Sequence, residues 1–291
     1  MFPESLTFSI RKPVNDAIDW LVVNMGPAFE TVNGGLLAVL VPLEQGLRHL
    51  PWWLVLAAVL ALSYHAGRNW KLSVGLGLLT VLIGVLGLWD LAMQTLALMI
   101  VATVLSVAAG LPLGIALASR DGLRRWVLPI LDLMQTMPIF VYLIPALMLF
   151  GLGKVPAILA TCIYAVPPVI RLTDLGIREV DPETVEAARA FGASDRKVLF
   201  DVQLPLALPS IMAGINQTIM LALSMVVVAS MIGARGLGQE VLLGIQRLDV
   251  GRGAAAGIAI VALAVVLDRI TQAYGRRAQP HRRDSDAAGG T

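Results

Sequence analysis

The chain carries little charge and a single cysteine. Of its 291 residues 14% are charged and 57% are hydrophobic, whereas soluble domains carry about 25% charged residues. The mean hydropathy is +0.78. This composition excludes an ordinary soluble domain and indicates a protein that crosses a membrane several times. The one cysteine, Cys162, excludes a disulfide within the chain, and its place in an apolar segment is typical of a small packing residue.

Residues that bind metals or perform catalysis are also scarce. The three histidines, His49, His65 and His281, lie far apart in the sequence, so no metal or acid–base site is predicted. The chain has no GxxxxGK[ST] phosphate loop, and GLGK at 151–154 lacks both the spacing and the strand-to-helix context of one. A net charge of +2 is too small to indicate nucleic-acid binding. We therefore expect no catalytic, cofactor-binding or metal-binding residues, and no enzyme.

Seven apolar segments are predicted to cross the membrane as helices. About 20 mostly apolar residues are needed to cross a hydrocarbon core of about 30 Å. The first two segments are short or rich in glycine, so we treat them as accessory helices ahead of a core. The predicted spans are 52–66, 72–89, 91–119, 127–152, 156–177, 206–233 and 253–272.

The placement of lysine and arginine predicts the orientation, because basic residues are retained on the cytoplasmic side. With seven crossings, one orientation puts the densest basic clusters inside. It places the amino terminus outside and the carboxyl terminus in the cytoplasm, and an even number of crossings would overturn it. The clusters expected inside are Arg68 with Lys71, Arg120 with Arg124 and Arg125, Arg178 with Arg189, Arg196 and Lys197, and the basic residues of the tail.

The two ends of the chain are predicted to lie outside the membrane core. Residues 14–25 place apolar and acidic side chains on opposite helical faces, which favours an amphipathic helix at the outer surface rather than a removable signal peptide. Residues 36–50 are apolar but contain Pro42, Glu44 and Arg48, so we expect them to lie along the membrane surface. The tail is polar and basic, and is predicted to be disordered with weak contact to anionic lipid.

A charged loop at 178–205 stands between two long apolar segments. Asp181 is predicted to cap a short helix with Pro182 at its first position. Alanine and glycine follow through 187–193, and such small residues let another protein approach the backbone closely. Phe191 would be the anchor on this face. An ordinary solvated loop that happens to contain alanines is the alternative.

The motif in this loop resembles the EAA motif of the membrane subunits of ATP-binding-cassette importers. It consists of EAA at 186–188, Gly192, and VQLP at 202–205, where Val202 replaces the usual isoleucine. The resemblance implies a coupling helix that docks into a groove of a cytoplasmic ATPase. The ATPase, a partner chain, would bind the ATP and magnesium. The implied docking residues are Glu186, Ala187, Ala188, Phe191, Gly192, Leu204 and Pro205.

The resemblance extends over about 91–274 and is close to the permeases for glycine betaine and proline betaine. It is carried by 131–153, 167–177, 214–233 and 236–249. It implies an all-α membrane protein with the bundle of a type I importer permease, located in the inner membrane and served by an external substrate-binding protein. The implied cargo is glycine betaine or a related quaternary-ammonium osmoprotectant. Choline, carnitine or an amino acid as cargo, and a secondary transporter driven by an ion gradient, are the alternatives.

Proline-interrupted segments with polar groups at membrane depth indicate the transport pathway, because broken helices are tolerated where they line a cavity. Aromatic faces among them can hold a quaternary ammonium. Hydrogen bonding between helices is the alternative role for each residue alone. The candidates are Gln135, Thr136, Pro138, Phe140, Tyr142, Tyr164, Asn216, Gln217, Thr218 and Ser224.

The chain shows no internal repeat, so the two halves of a pathway are expected to come from two copies in a homodimer. The glycines at 236–238 are interpreted either as part of an outer gate or as an ordinary turn. The predicted organisation is an outer or interfacial region at 1–50, accessory helices at 51–90, a permease core at 91–274 and a cytoplasmic tail at 275–291.

Overall fold

The computed structural model describes residue 9 and residues 11–277, and these form helices joined by short connections. The expected all-α fold is confirmed, with no strand in this part of the chain. A π-helical turn, Val198–Gln203, leads directly into the tenth α-helix. The α-helices are α1 (Arg11–His49), α2 (Trp52–Gly67), α3 (Trp70–Val85), α4 (Trp89–Ser119), α5 (Asp121–Thr136), α6 (Ile139–Phe150), α7 (Lys154–Arg178), α8 (Pro182–Ala190), α9 (Asp195–Lys197), α10 (Leu204–Ser230), α11 (Leu237–Arg247) and α12 (Val250–Arg277).

Most predicted spans correspond to single helices. Within the described residues, five helices are long and apolar enough to cross a membrane: α1, α4, α7, the run Asp195–Ser230 that contains α10, and α12. The predicted spans 52–66 and 72–89 correspond to α2 and α3, which have 16 residues each. The predicted span 127–152 is divided into α5 and α6.

The break between α5 and α6 follows from the sequence around Pro138. A proline disfavours helical conformation in the residue before it, and Met137 is extended with φ −69° and ψ 136°. The two helices meet at 96°. The hydroxyl of Tyr142 in α6 donates a hydrogen bond to the carbonyl oxygen of Met134 in α5, which ties the two sides of the bend together.

The centre of the molecule is a close packing of α4, α7 and α10. Small residues bring these helices together, because a side chain at their positions would collide with a neighbour. A Cβ added at Gly114 would lie 2.6 Å from the Cβ of Thr173 and 2.8 Å from the carbonyl oxygen of Ile170. A Cβ added at Gly176 in α7 would lie 2.6 Å from the Cβ of Ser210 in α10. The accessory helices α2 and α3 pack on α12, outside this centre.

The amino-terminal region differs from the expectation of two separate segments. It is one helix of 39 residues that contains Pro27 and Pro42. Glu44, which suggested an interruption, is 5% exposed and is paired with Lys154 of α7. Charged side chains with partners on neighbouring helices do not end a helix, and α1 itself is long and apolar enough to cross. Its position at the outer surface stays a prediction.

The predicted disordered tail lies outside the described residues from 278 onward, as does His281. Residues 275–277 continue α12.

Candidate docking loop and membrane pathway

The loop between α7 and α10 is folded around two capped turns. The side chain of Asp181 accepts a hydrogen bond from the backbone N–H of Glu183 at 2.9 Å, and Pro182 opens α8 as predicted. At the other end, the N–H of Gly192 donates to the carbonyl oxygen of Arg189 at 2.9 Å, and Ala193 donates to Ala188 at 3.1 Å. These bonds satisfy carbonyl groups that the end of a helix leaves unpaired.

Gly192 has φ +83°, a left-handed conformation that residues with a Cβ rarely adopt. It allows the chain to reverse sharply after α8. A Cβ added at this position would meet nothing within 4 Å. The glycine is therefore required by the backbone and not by packing inside the chain, and it leaves an open surface.

The open surface carries an exposed aromatic ring. Phe191 is 94% exposed, although it lies next to a helix end that is otherwise ordered. Glu186 and Ala187 are exposed beside it, and Ala188 is half-buried. A large exposed apolar ring among small side chains is typical of an anchor residue at a protein–protein interface.

The base of the loop is attached to the helix bundle. Val198 in the π-helical turn is 2% exposed. Leu204 packs against the cluster formed by Ile177, Ala207 and Ile211, so it joins the loop to α7 and α10 instead of facing outward. Pro205 is exposed in the first turn of α10.

The predicted pathway residues of α5 and α6 divide between surface and core. Gln135, Thr136 and Pro138 are exposed at the bend, and Phe140 is 51% exposed. Tyr142 is buried, with its hydroxyl bonded to the backbone of α5. Its ring belongs to the buried core cluster, and its hydroxyl is engaged at the bend.

Tyr164 in α7 is half-buried against the core cluster that also contains Tyr142 and Leu143. The predicted aromatic candidates thus differ in exposure, and Phe140 presents the most open ring of the three.

The α10 candidates separate onto different helical faces. Gln217, Met220 and Ser224 are exposed and recur at helical spacing, so they form one open face. Its polar groups, those of Gln217 and Ser224, lie at two levels along the helix axis. Thr218 is fully buried on another face, and the structure does not bring it to the open one. Asn216 is half-buried between these faces.

Asn216 belongs to a polar cluster between α10 and α12. Its amide nitrogen donates to a carboxylate oxygen of Asp268 at 2.9 Å, and Gln272 donates to the same oxygen at 2.7 Å. A cavity of about 520 Å³ beside the cluster is lined by Asn216, Gln217, Thr271, Gln272 and Arg276 together with apolar side chains. The residues predicted from the sequence did not include α12 in this cluster. Asp268 and Gln272 are four residues apart in an apolar helix, and this spacing is a signal that could have predicted a polar pair on one helix face.

The glycines at 236–238 are fixed to α4. The backbone N–H of Leu237 donates to the hydroxyl of Thr95 at 2.9 Å, and both residues are buried. Gly236 has φ +152°, and a Cβ there would lie 2.5 Å from the Thr95 hydroxyl oxygen. The segment is thus a turn held closely against the beginning of α4. Its role as a gate stays a prediction.

Comparison with known proteins identifies the family. Residues 110–280 match the family model described as "Binding-protein-dependent transport system inner membrane component". The chain belongs to this family. The match covers the bent segment of α5 and α6, the loop between α7 and α10, and the helices around the polar cluster of this permease.

Curated relatives extend the similarity over most of the permease. It is 50% identical over 268 residues to the glycine betaine/proline betaine transport system permease protein ProW of Escherichia coli (strain K12), covering 90% of this chain and 74% of that one. It is 47% identical over 270 residues to the glycine betaine transport system permease protein OpuAB of Bacillus subtilis (strain 168), covering 90% and 94%. It is 47% identical to the glycine betaine/carnitine transport permease protein GbuB of Listeria monocytogenes over 79% of this chain and 82% of that one.

A solved structure shows the same fold. The MetNI methionine ABC transporter in an inward-facing conformation contains a chain that matches the permease with a TM-score of 0.57 and 24% identity, over 64% of this chain and 93% of that one. The type I importer bundle expected from the sequence is therefore confirmed. The permease is a multi-pass inner-membrane transport subunit and not an enzyme, and its family implies a separate ATPase and a substrate-binding protein.

Proposed function

We propose that the permease imports glycine betaine or a related quaternary-ammonium osmoprotectant. The support is the similarity over 90% of the chain to permeases named for glycine betaine. The described polar groups near the pathway also suit this cargo. Asp268 accepts two amide hydrogen bonds at one carboxylate oxygen, and its other oxygen lies 4.0 Å from the guanidinium of Arg269, so its charge is already balanced within the chain. A zwitterion carries no net charge. It therefore passes such a surface without needing a buried counter-ion from the protein.

The observation that carries the mechanism is the exposed patch around Phe191 and Gly192. We propose that this patch docks into the partner ATPase, which binds ATP and magnesium. When the ATPase closes, α8 moves, and the attachment of the loop base to α7 and α10 transmits the movement to the membrane helices. Glu186, Ala187 and Ala188 form the remainder of the contact. Pro205 borders it, whereas Leu204 connects the loop to the bundle.

We propose further that two copies of the permease enclose the pathway. The open face of α10 supports this, because Gln217 places a polar side chain on a surface that one copy leaves uncovered; the hydroxyl of Ser224 on the same face donates to the carbonyl oxygen of Met220. Polar side chains facing lipid are unfavourable, and a second copy with water between the two faces removes that cost. Lipid would contact the exposed apolar surface of the accessory helices.

The proposed orientation places the docking loop and the carboxyl terminus in the cytoplasm and the amino terminus outside. The basic residues Arg124 and Arg178 both pair with Asp174 near the end of α7 from which the loop begins, which agrees with the positive-inside rule. A cysteine placed at residue 15 is expected to react with a membrane-impermeant label added to whole cells. Failure to react, with reaction after permeabilisation, would place the amino terminus inside and make α1 an additional crossing.

The proposed function is tested with proteoliposomes containing the permease, its ATPase and its binding protein. Uptake of labelled glycine betaine is measured with and without internal ATP. ATP-dependent uptake that requires both partners supports the proposal. Uptake by the permease alone in response to a sodium or proton gradient would refute it, and ATP-dependent uptake of a different solute only would refute the cargo.

A further inference from the structure

A buried carboxylate lies at the base of α7, close to the docking loop. Asp174 is 2% exposed. One of its carboxylate oxygens accepts from the guanidinium of Arg124 in α5 at 2.9 Å, and the other accepts from Arg178 in α7 at 2.9 Å. Such a buried anion is stable only while its cationic partners remain in place.

Further ion pairs join α5 to α7. Arg178 also contacts Asp121 at 2.6 Å and donates to the carbonyl oxygen of Leu117, the last turn of α4, at 2.9 Å. Nearer the bend, Arg171 of α7 pairs with Asp132 of α5. The contacts therefore run along much of α5, and Arg178 is the residue where α4, α5 and α7 meet.

Apolar packing also attaches α5, through the partly buried Leu123, Val127, Leu128 and Met134 around Leu131. Leu131 is the residue of α5 whose side chain is buried within the described structure. Trp126, Ile130 and Leu133 are all more than half exposed and form one outward stripe. The 96° bend after Thr136 also prevents α5 from continuing straight into α6. The ion pairs therefore add to this apolar packing and hold the charged positions of α5 against α7.

The same attachment point adjoins the docking loop along the chain. Arg178 is the last residue of α7, and Asp181, the cap of α8, follows after Glu179 and Val180. Val180 is buried. A displacement of α8 therefore reaches the end of α7 through a short connection that the buried Val180 attaches to the protein, although Glu179 and Asp181 are exposed.

We propose that Arg124 and Asp174 are positioning residues that hold α5 to the base of α7, so that movement of the docking loop carries α5 and the bend at Pro138 with it. This proposal rests on the proposed docking of the loop to the ATPase. In this arrangement α5 and α7 move as one body during transport. Without the Arg124–Asp174 contact, α7 follows the loop while α5 lags behind, and the bend does not reach the position that the transport cycle requires.

The test reverses the charge at Arg124 and uses its neighbour as a control. Arg124→Glu places an anion beside Asp174, whereas Arg125→Glu makes the same charge change on α5 at an exposed residue that forms no ion pair in the part of the chain that is described. Arg124→Lys keeps the cation. Arg124→Gln replaces Arg124→Glu if the latter does not assemble with the ATPase.

Two quantities are measured in the complete importer. The first is ATP-dependent uptake, which is expected to fall about tenfold in Arg124→Glu, to be largely restored in Arg124→Lys and to be unaffected in Arg125→Glu, while ATP hydrolysis continues. The second is the distance between spin labels on cysteines replacing Ile130 in α5 and Leu175 in α7, in a Cys162→Ser background. Nucleotide is expected to leave this distance unchanged in the protein with Arg124 and to alter it in Arg124→Glu.

One result would overturn the proposal whatever the uptake: nucleotide changes the label distance in Arg124→Glu by the same amount as in Arg125→Glu. Equal uptake in these two variants would overturn it as well. The distance measurement needs the ATPase and nucleotide but no cargo. Absence of betaine uptake by the unsubstituted permease would therefore refute the proposed cargo and leave the test of the Arg124–Asp174 contact intact.

Discussion

The ammonium of Lys154 at the start of α7 donates a hydrogen bond to the carboxylate of Glu44 in α1 at 2.5 Å. Glu44 is buried, and Arg48 lies 3.9 Å from its other oxygen while also pairing with Asp90 of α4. This network attaches the long amino-terminal helix to the permease core at the end of the molecule opposite the docking loop. Stability of the core and placement of α1 are therefore linked.

Replacing Lys154 with methionine is expected to destabilise the permease by about 3 kcal/mol, because the buried carboxylate of Glu44 loses its nearest cation. The measurement is SDS-induced unfolding in mixed micelles. Lys197→Met, at an exposed position in the docking loop, is the control and should have little effect. The double variant Glu44→Gln with Lys154→Met should be more stable than Lys154→Met alone. Equal stability of these two would show that the pair does not contribute as described.

Replacing Gly192 with tryptophan is expected to abolish coupling of ATP hydrolysis to uptake while the subunit still folds. The new side chain extends into open space on the docking face, where it separates the two proteins. Gly192→Asn is the matched control, since asparagine tolerates the left-handed conformation better than other residues and adds little bulk. Coupling should be largely retained in Gly192→Asn. Normal coupled uptake in Gly192→Trp would exclude this surface as the docking site.

Replacing Phe191 with alanine is expected to weaken binding of the ATPase by about 2 kcal/mol, or roughly thirtyfold in Kd, as is typical of an aromatic anchor at an interface. Stability of the isolated permease should not change, because the ring is almost fully exposed. Phe200→Ala removes a ring that is 52% exposed and lies 6.0 Å from the Arg196 guanidinium. It is the control for loss of aromatic surface elsewhere in the loop. Equal binding by the two variants would argue against an anchoring role.

Replacing Tyr142 with phenylalanine is expected to lower stability by about 1 kcal/mol, the usual contribution of one hydrogen bond. The lost bond is the one that ties α6 to Met134 across the bend. The same change at the half-buried Tyr164 is the comparison. Uptake assays give the second readout: KM for betaine should stay unchanged in Tyr142→Phe, because the hydroxyl is engaged with the backbone. A raised KM at unchanged stability would assign the hydroxyl to the cargo.

Replacing Gly114 with alanine is expected to cost about 2 kcal/mol, because the added methyl group forces α4 away from Thr173 and Ile170. Gly75→Ala in α3 is the control, since a Cβ there meets nothing within 4 Å. That substitution should be neutral or slightly stabilising, as alanine favours helix over glycine. SDS-induced unfolding, the measurement used for Lys154→Met, compares the stability of Gly114→Ala with that of Gly75→Ala. Similar stability of the two variants would contradict the close approach of α4 and α7.

Local patterns in the sequence predicted several features of the permease correctly. Asp181 and Pro182 were sufficient to place the start of α8, because a cap and a proline at the first turn act within a few residues. Pro138 marked a disturbed span for a similar local reason. The sharpness of the bend could not be predicted, since it also depends on the contact between Tyr142 and Met134.

Contacts between distant segments were the part that sequence reasoning missed. The charges at Glu44 and Arg48 suggested that the helix was interrupted, because their partners are remote in the chain. The bond from Leu237 to Thr95 gave no sequence signal at all. The amide that Asp268 accepts comes from Asn216 in α10, 52 residues away in the sequence.

The sequence by itself determined that this protein is a bundle of apolar helices with one capped, charged loop, because apolar length, helix caps and prolines act through the local backbone. It also carried the motif that identifies the importer family. Only the tertiary structure decided which polar side chains face one another. The pairing of Asp174 with Arg124, the burial of Thr218 and the open face at Gln217 depend on how α4, α5, α7 and α10 pack. Packing is set by the shapes of several helices together and cannot be read from any one of them.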